Sequence, residues 1–183
     1  MVYPMRSTRN EDGFLLVEVI AAMMIITIAL LALIGAYSFG WFAIGAAGTN
    51  TSAGLIANDQ LELYQSLSYS SIGLYSTSLT SVESTDPTYC TDKLALPGSS
   101  SPCSTADVTY AGCTSTLTQC KPVQTVTGSD NKPYKVETFI RLLSTRSDGA
   151  TRSEKVVTVV VRNASASSTS KVLTMQTAFD SGT

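Results

Sequence analysis

One uninterrupted apolar segment near the N-terminus constrains this chain more than any other feature. Residues 14–47 read FLLVEVIAAMMIITIALLALIGAYSFGWFAIGAA and carry a single ionisable side chain, Glu18. About 20 apolar residues are enough to cross the hydrocarbon core of a bilayer, and this segment is longer. Arg6 and Arg9 precede it, and the next Lys or Arg in the chain is Lys93. The segment therefore predicts a membrane-spanning helix, with the N-terminus in the cytoplasm and the bulk of the chain outside.

The composition of the 183-residue chain narrows the classes of function. The formal net charge is −2, so no basic surplus is available to bind a nucleic-acid backbone, and we expect no nucleic-acid partner. Charged residues make up 14% of the chain, below the roughly 25% of ordinary soluble domains. Ser and Thr supply the polarity from Ser66 onward, which suits an exported surface. The chain contains no His, which excludes a Ser-His-Asp triad, a Cys-His dyad and a His-ligated metal.

The start of the apolar segment differs from an ordinary secretory signal. Polar residues 11–13 directly abut it, whereas a secretory signal places its cleavage site after the apolar region. Glu18 lies five residues into the segment, where a carboxylate costs roughly 2.5–3.5 kcal/mol by insertion scales. A purely structural interpretation is that Glu18 reaches the nearby cytoplasmic interface. The alternative is that the carboxylate has a specific partner.

The residues Gly13-Phe14-Leu15-Leu16-Val17-Glu18 resemble the class III signal of type IV prepilins and type II secretion pseudopilins. The resemblance implies cleavage between Gly13 and Phe14 by the membrane prepilin peptidase, followed by N-methylation of Phe14. It also implies that Glu18 is the family's assembly acid. Cutting before Phe14 creates an amine with which the Glu18 carboxylate can pair, and a buried charge is tolerable only with such a partner.

The resemblance also implies the partners and the location of the chain. The partners are the prepilin peptidase, other pilin or pseudopilin subunits, an inner-membrane assembly platform and, before assembly, membrane lipid. No cofactor and no metal are expected. The chain would first be a single-pass protein of the bacterial inner membrane with its head outside. It would then belong to a cell-surface or periplasmic filament.

Several residues favour the minor-pilin branch, often called PilV- or GspI-like. Glu11 and Asp12 offset the basic leader, and the apolar segment lacks the helix-breaking Pro of many major pilins. Four glycines, at positions 35, 40, 45 and 48, are expected to loosen the helix instead. Residues 57–62, ANDQLE, also resemble the helix exit of that branch.

The four cysteines lie in a Ser/Thr/Pro-rich stretch and predict two disulfides. They are Cys90, Cys103, Cys113 and Cys120, and their three alternative pairings stay open. Zinc is the competing interpretation, but it usually takes closely spaced Cys pairs or Cys with His. Export to an oxidising compartment favours disulfides.

The pattern beyond the apolar segment predicts an α+β head, with a long N-terminal helix packed on a small antiparallel sheet. Ala53, Ala57, Leu61 and Tyr64 recur at helical spacing, and strands are expected at 134–143, 155–162 and 172–179. The predicted organisation is a leader at 1–13, a helix at 14–67 whose part 14–47 lies in the membrane or filament core, a disulfide-bearing connection at 68–132 and a sheet at 133–183.

Other patterns in the sequence carry less information. Asp86, Asp92 and Asp107 suggest calcium, but their irregular spacing favours solvated loop acids. Asn163-Ala164-Ser165 fits the minimal N-glycosylation sequon, a pattern that is common by chance. No Walker A or dinucleotide-binding glycine pattern occurs, and we expect no enzyme activity.

Three functional hypotheses follow from the sequence. The first is a minor pilin or pseudopilin, a structural subunit of a type IV pilus or a type II secretion-like filament. The second is an adhesive or binding tip subunit of such a filament, acting through the stapled segment 68–132. The third is an uncut, signal-anchored exported domain.

Overall fold

The fold is described from a computed structural model, in which residues 16–94, 96, 103, 107–143, 153–164 and 170–181 are described. The helices are α1 (Leu16–Gln65), α2 (Ser76–Thr85) and α3 (Pro87–Leu94), with short 3-10 turns at Tyr69–Ser71 and Thr118–Cys120. The strands are β1 (Val123–Thr127), β2 (Pro133–Leu143), β3 (Glu154–Asn163) and β4 (Lys171–Asp180). An α+β class is therefore confirmed.

The chain divides into two compact units, residues 1–45 and 46–183, and we call the second unit the head. Helix α1 is assigned without interruption from Leu16 to Gln65, so the predicted loosening at its glycines is not seen. A Cβ added to any of the glycines at 35, 40, 45 and 48 would meet nothing within 4 Å. Because the segment contains no proline, every backbone amide within it can take part in the helix.

The sheet of the head is a four-stranded antiparallel meander in the order β1-β2-β3-β4. Three strands match the sequence prediction to within one residue at each end, and β1 is an additional strand inside the segment expected to be a connection. The β1–β2 hairpin turns over residues 128–132, where Asn131 adopts a φ of 57°. Asn tolerates this left-handed conformation better than most residues, because its side chain can bond locally.

Helix α1 covers one face of the sheet. Its predicted apolar stripe is confirmed, because Ala53, Ala57, Leu61 and Tyr64 are all buried in the core. Alternate residues of β2 face this helix, and the phenol of Tyr134 lies 3.5 Å from the Thr49 carbonyl of α1. Burial of these apolar side chains stabilises the contact, at about 25 cal/mol for each Å² removed from water.

A second layer, made by α2 and α3, covers the opposite face of the sheet, and residues 107–110 lie along the edge of β2. The Tyr89 ring of α3 stacks on Phe139 of β2, with ring centroids 4.4 Å apart. Val108 joins β2 to the segment at Leu74. Its amide donates to the Ile140 carbonyl of β2, and its carbonyl accepts from the Leu74 amide. The sequence predicted a disulfide-bearing connection at 68–132 and did not predict helices within it. The structure instead has two helices and a strand, and it buries β2 on both faces.

Candidate functional site

The first candidate site is the apolar part of α1. Almost every side chain from Leu16 to Gly48 is exposed, and the most apolar 18-residue window has a mean hydropathy of 2.8 with none of it buried. The helix is therefore long and apolar enough to cross a membrane. A signal sequence would pass the same test of length and composition.

Glu18 lies in the first turn of α1 and is exposed. An acidic side chain is favourable at this end of a helix, because the unpaired amides there carry partial positive charge. No ion pair joins Glu18 to another residue in the described part of the chain. Gly13 and Phe14 lie outside the described residues, so cleavage and N-methylation at this position stay predictions.

The hydroxyl groups within the apolar segment bond to the helix itself. Thr27 Oγ1 donates to the Met23 carbonyl, and Ser38 Oγ donates to the Ile34 carbonyl at 3.0 Å. Bonding to the carbonyl four residues earlier is a common way for Ser and Thr to satisfy their hydroxyl inside a helix. These polar groups consequently need no water, which is compatible with an apolar environment.

The second candidate site is a set of charged side chains between the sheet and the α2–α3 layer, which we call the ionic layer. At its centre Arg162 of β3 binds two carboxylates. Its Nε lies 3.0 Å from Asp92 Oδ2 of α3 and 3.2 Å from Glu137 Oε2 of β2, and its Nη2 also contacts Asp92. Lys171 of β4 binds the second Asp92 oxygen at 2.9 Å. Asp92, Glu137 and Arg162 are all buried.

Lys135 extends the ionic layer toward the start of α3. Its Nζ lies 2.7 Å from Glu137 Oε1 and also contacts Asp86 Oδ2. The other Asp86 oxygen accepts from the amides of Thr88 and Tyr89 at 3.0 and 3.3 Å. Asp86 is thus the N-cap of α3, and Pro87 fills the first helical position, where its missing amide is harmless.

A buried lysine anchors the other end of the ionic layer. Lys93 Nζ lies 3.0 Å from Asp107 Oδ2 and also binds Glu83 of α2. The Tyr89 phenol lies 3.2 Å from the same Asp107 oxygen and 3.0 Å from the Thr138 carbonyl. Asp107 Oδ1 accepts from the Ile140 amide at 3.3 Å. The carboxylate therefore joins α3 to β2.

Four acids of the ionic layer divide into two groups by the direction in which their pKa is shifted from its ordinary value. Burial opposes ionisation of Asp86, but hydrogen bonds from Lys135 and Thr88 outweigh it and hold the pKa of Asp86 below its ordinary value. The pKa of Asp92 is likewise lowered, because Lys171 and Arg162 overcome the effect of burial. Burial raises the pKa of Glu137 and of Asp107, although the neighbouring cations limit the rise.

These contacts correct one sequence expectation. Asp86, Asp92 and Asp107 are not solvated loop acids, since each is bound by a Lys or Arg, and Asp92 and Asp107 are buried. In the described part of the chain no cluster of His, Cys, Asp or Glu is arranged to hold a metal ion. The ionic layer therefore connects the sheet to the α2–α3 layer.

Both predicted disulfides are present, and the structure selects one of the three pairings. Cys90 of α3 pairs with Cys103, with their Cα atoms 5.0 Å apart, and Cys113 pairs with Cys120, with their Cα atoms 5.5 Å apart. Cys113 and Cys120 are buried, whereas Cys90 and Cys103 are half-buried. The bonded cysteines are 13 and 7 positions apart in the sequence, so each bond closes a short loop.

The comparisons with known proteins give no family. No protein-family model, curated protein or solved structure matches the chain. Its function is therefore argued from its own residues.

No sequence pattern predicted the ionic layer as a unit. The signal that was available is the alternation of charged and apolar side chains along β2, where Lys135, Glu137 and Arg141 alternate with Val136 and Ile140. Such alternation usually indicates a solvated face. Here α3 covers the charged face of β2, and no local sequence pattern predicts that α3 packs there.

Proposed function

We propose that this chain is a minor pilin or pseudopilin, a structural subunit of a type IV pilus or type II secretion-like filament. It would be cut between Gly13 and Phe14, methylated at Phe14 and assembled through α1. The observation that carries the proposal is Glu18, a lone carboxylate at the start of an exposed apolar helix and four positions after Phe14 of a Gly-Phe pair. An anchor that only holds a domain in the membrane has no need of this acid.

The organisation of the chain supports the same proposal. A single helix carries an exposed apolar half and then supplies the apolar stripe that covers the sheet. This arrangement suits a subunit that first lies in a membrane and is later packed against copies of itself. The two disulfides suit an oxidising compartment outside the cytoplasm.

The decisive experiment is N-terminal sequencing and intact-mass measurement of the protein from host membranes and from sheared surface material. We expect a mature form that begins at methylated Phe14 and is present in the sheared fraction. A chain that keeps residues 1–13 and stays in the membrane fraction would contradict the proposal. That result would favour the uncut, signal-anchored domain.

Deletion of segment 68–132 would not test the binding-tip alternative. That segment contains α2, α3, β1 and both disulfides, so its deletion would unfold the head. A better probe is the hydroxyl-rich surface depression of α2, which is lined by Ser76, Thr77, Thr80, Ser81 and Ser84. Loss of surface binding with normal filament assembly, after replacement of these side chains by Ala, would favour the binding tip.

A further inference from the structure

Four of six consecutive positions in the apolar part of α1, residues 37–42, carry large aromatic side chains. Tyr37, Phe39, Trp41 and Phe42 are 68%, 76%, 63% and 79% exposed, so the protein itself covers little of them. The rings of Tyr37 and Trp41 meet edge to face with centroids 6.0 Å apart. No aromatic residue occurs between Leu16 and Ala36. The apolar part of α1 is therefore aliphatic first and aromatic afterwards.

The position of this aromatic cluster matches the dimensions of a bilayer. The aliphatic stretch from Leu16 to Ala36 would be about 32 Å long as a helix at 1.5 Å per residue, close to the roughly 30 Å of a hydrocarbon core. The cluster itself would extend over about 8 Å, close to the 5–8 Å of one headgroup region. The aromatic residues thus begin at the depth where the hydrocarbon ends.

The chemistry of the cluster fits the same location. Tyr and Trp combine a large apolar ring with a hydrogen-bonding group, and both are enriched where a membrane-spanning helix passes the lipid headgroups. After the cluster, the sequence becomes small and then polar, ending in Gly48, Thr49, Asn50 and Thr51. Arg6 and Arg9 place the opposite end of the helix on the cytoplasmic side, so the cluster belongs to the outer leaflet.

We propose that residues 37–42 bind the outer headgroup region of the bilayer and fix the depth of the chain before assembly. The hydrocarbon core is then crossed by residues 16–36, and the apolar residues 43–48 lie outside it. The partner is the lipid interface, and not a second copy of the chain. This inference rests on the proposed function, because it requires that α1 spans a membrane.

Trp41 makes the proposal directly measurable, because it is the only Trp in the chain. The full chain is reconstituted in phosphatidylcholine vesicles that contain lipids brominated either near the headgroup or deep in the acyl chain. We expect shallow bromines to quench Trp41 fluorescence more strongly than deep bromines. The matched control combines Trp41→Phe with Ile34→Trp, which moves the probe about 10 Å deeper at 1.5 Å per residue. This variant should show the reverse preference.

Flotation of the vesicles separates the two proposals. If the chain does not float with the vesicles, α1 does not span the membrane, and the proposed function fails together with the inference. If the chain floats but deep bromines quench Trp41 as strongly as they quench the control, the aromatic cluster lies in the hydrocarbon and only the inference is overturned. At a high protein-to-lipid ratio, Trp41 could instead be shielded from all bromines, with dilution by lipid relieving the shielding. That result would show that a second copy of the chain covers the aromatic cluster, and it would also overturn the inference.

Discussion

Arg162 of β3 and Asp92 of α3, 70 positions apart in the sequence, form the central ion pair of the ionic layer. Both side chains are buried, and Glu137 binds the same guanidinium. A buried pair contributes little net stability relative to an apolar pair, because both charges must leave water. Removing only one partner is costly, since the other charge stays buried. The ionic layer should therefore be sensitive to single substitutions.

We expect Arg162→Met to lower the free energy of unfolding by about 3 kcal/mol, since it leaves Asp92 and Glu137 with fewer cations. The measurement is chemical denaturation of the full chain in detergent micelles, followed by the near-ultraviolet circular dichroism of the head. Lys132→Met is the control, because Lys132 is half exposed and lies 3.6 Å from Asp130. An exposed pair of this kind contributes little. Equal denaturation midpoints for the two variants would contradict the prediction.

Acid should destabilise the head partly through Asp86. Its folded pKa is lowered, so its ionised form stabilises the fold above the unfolded value of about 3.9, and this contribution is lost as the pH falls through the folded pKa. Asp86→Asn removes the charge but keeps an N-cap residue, and should flatten the loss of stability below about pH 4. Thr88→Ala removes one donor to Asp86 and should give an intermediate slope.

The check is the denaturation midpoint of the wild-type chain, Asp86→Asn and Thr88→Ala at a series of pH values. Asp107 and Glu137 act in the opposite sense, because their raised pKa values favour the protonated folded state. Their stabilisation is present at low pH and is lost as the pH rises through the folded pKa. The contribution of Asp107 is common to all three chains and cancels in the comparison, whereas Glu137 shares Lys135 with Asp86. Parallel profiles for the three chains would contradict the role of Asp86.

The two disulfides should differ in accessibility to a reductant. Cys90 and Cys103 are half-buried and Cys113 and Cys120 are buried, so mild reduction of the folded chain should open the Cys90–Cys103 bond first. Differential alkylation followed by mass spectrometry identifies the order. Replacing either pair by Ala should cost about 2–3 kcal/mol, since both bonds close short loops. Reduction of Cys113–Cys120 first would show that burial does not control access.

Glu18→Ala should still be cut after Gly13 but should enter filaments poorly, because the new amine at Phe14 would lack its carboxylate partner. Glu62→Ala is the control, since Glu62 is an exposed acid on the head part of α1 and should leave assembly unchanged. The readout is the amount of mature chain in sheared material relative to membranes. Normal incorporation of Glu18→Ala would exclude the pairing, while loss of cleavage would assign Glu18 to recognition by the peptidase.

Local sequence patterns predicted the parts of the fold that depend on one periodicity. The helical spacing of Ala53, Ala57, Leu61 and Tyr64 identified the buried stripe of α1. Alternating side chains identified β2 and β4, and a β-branched run identified β3. The apolar segment predicted a helix able to cross a membrane. These elements could be found because burial on one face imposes a regular pattern on neighbouring residues.

The second layer was missed for physical reasons. Helix α2 is rich in Ser and Thr, which are weak helix formers, and α3 has only eight residues, so tertiary contacts sustain both helices. The Asp86-Pro87 pair is a helix-start signal that the sequence does contain. The partners of Asp92, which are Arg162 and Lys171, belong to strands distant in sequence, and no local pattern predicts such pairs. Strand β1 is only five residues long and mostly polar, which weakens its alternation.

Strand β2 presents an apolar face to α1 and a charged face to α3, and both faces are buried. A one-residue slip in its pairing would turn Glu137 and Lys135 toward the apolar side chains of α1, and would turn Val136 and Ile140 toward the carboxylates of α3. In a slipped sheet, the packing of β2 would thus be unfavourable on both of its faces. In a strand with one solvated face, water would hydrate the misplaced side chains on that face, and the slip would cost less free energy. The buried charges would therefore disfavour a misaligned sheet, even where they add little to the final stability.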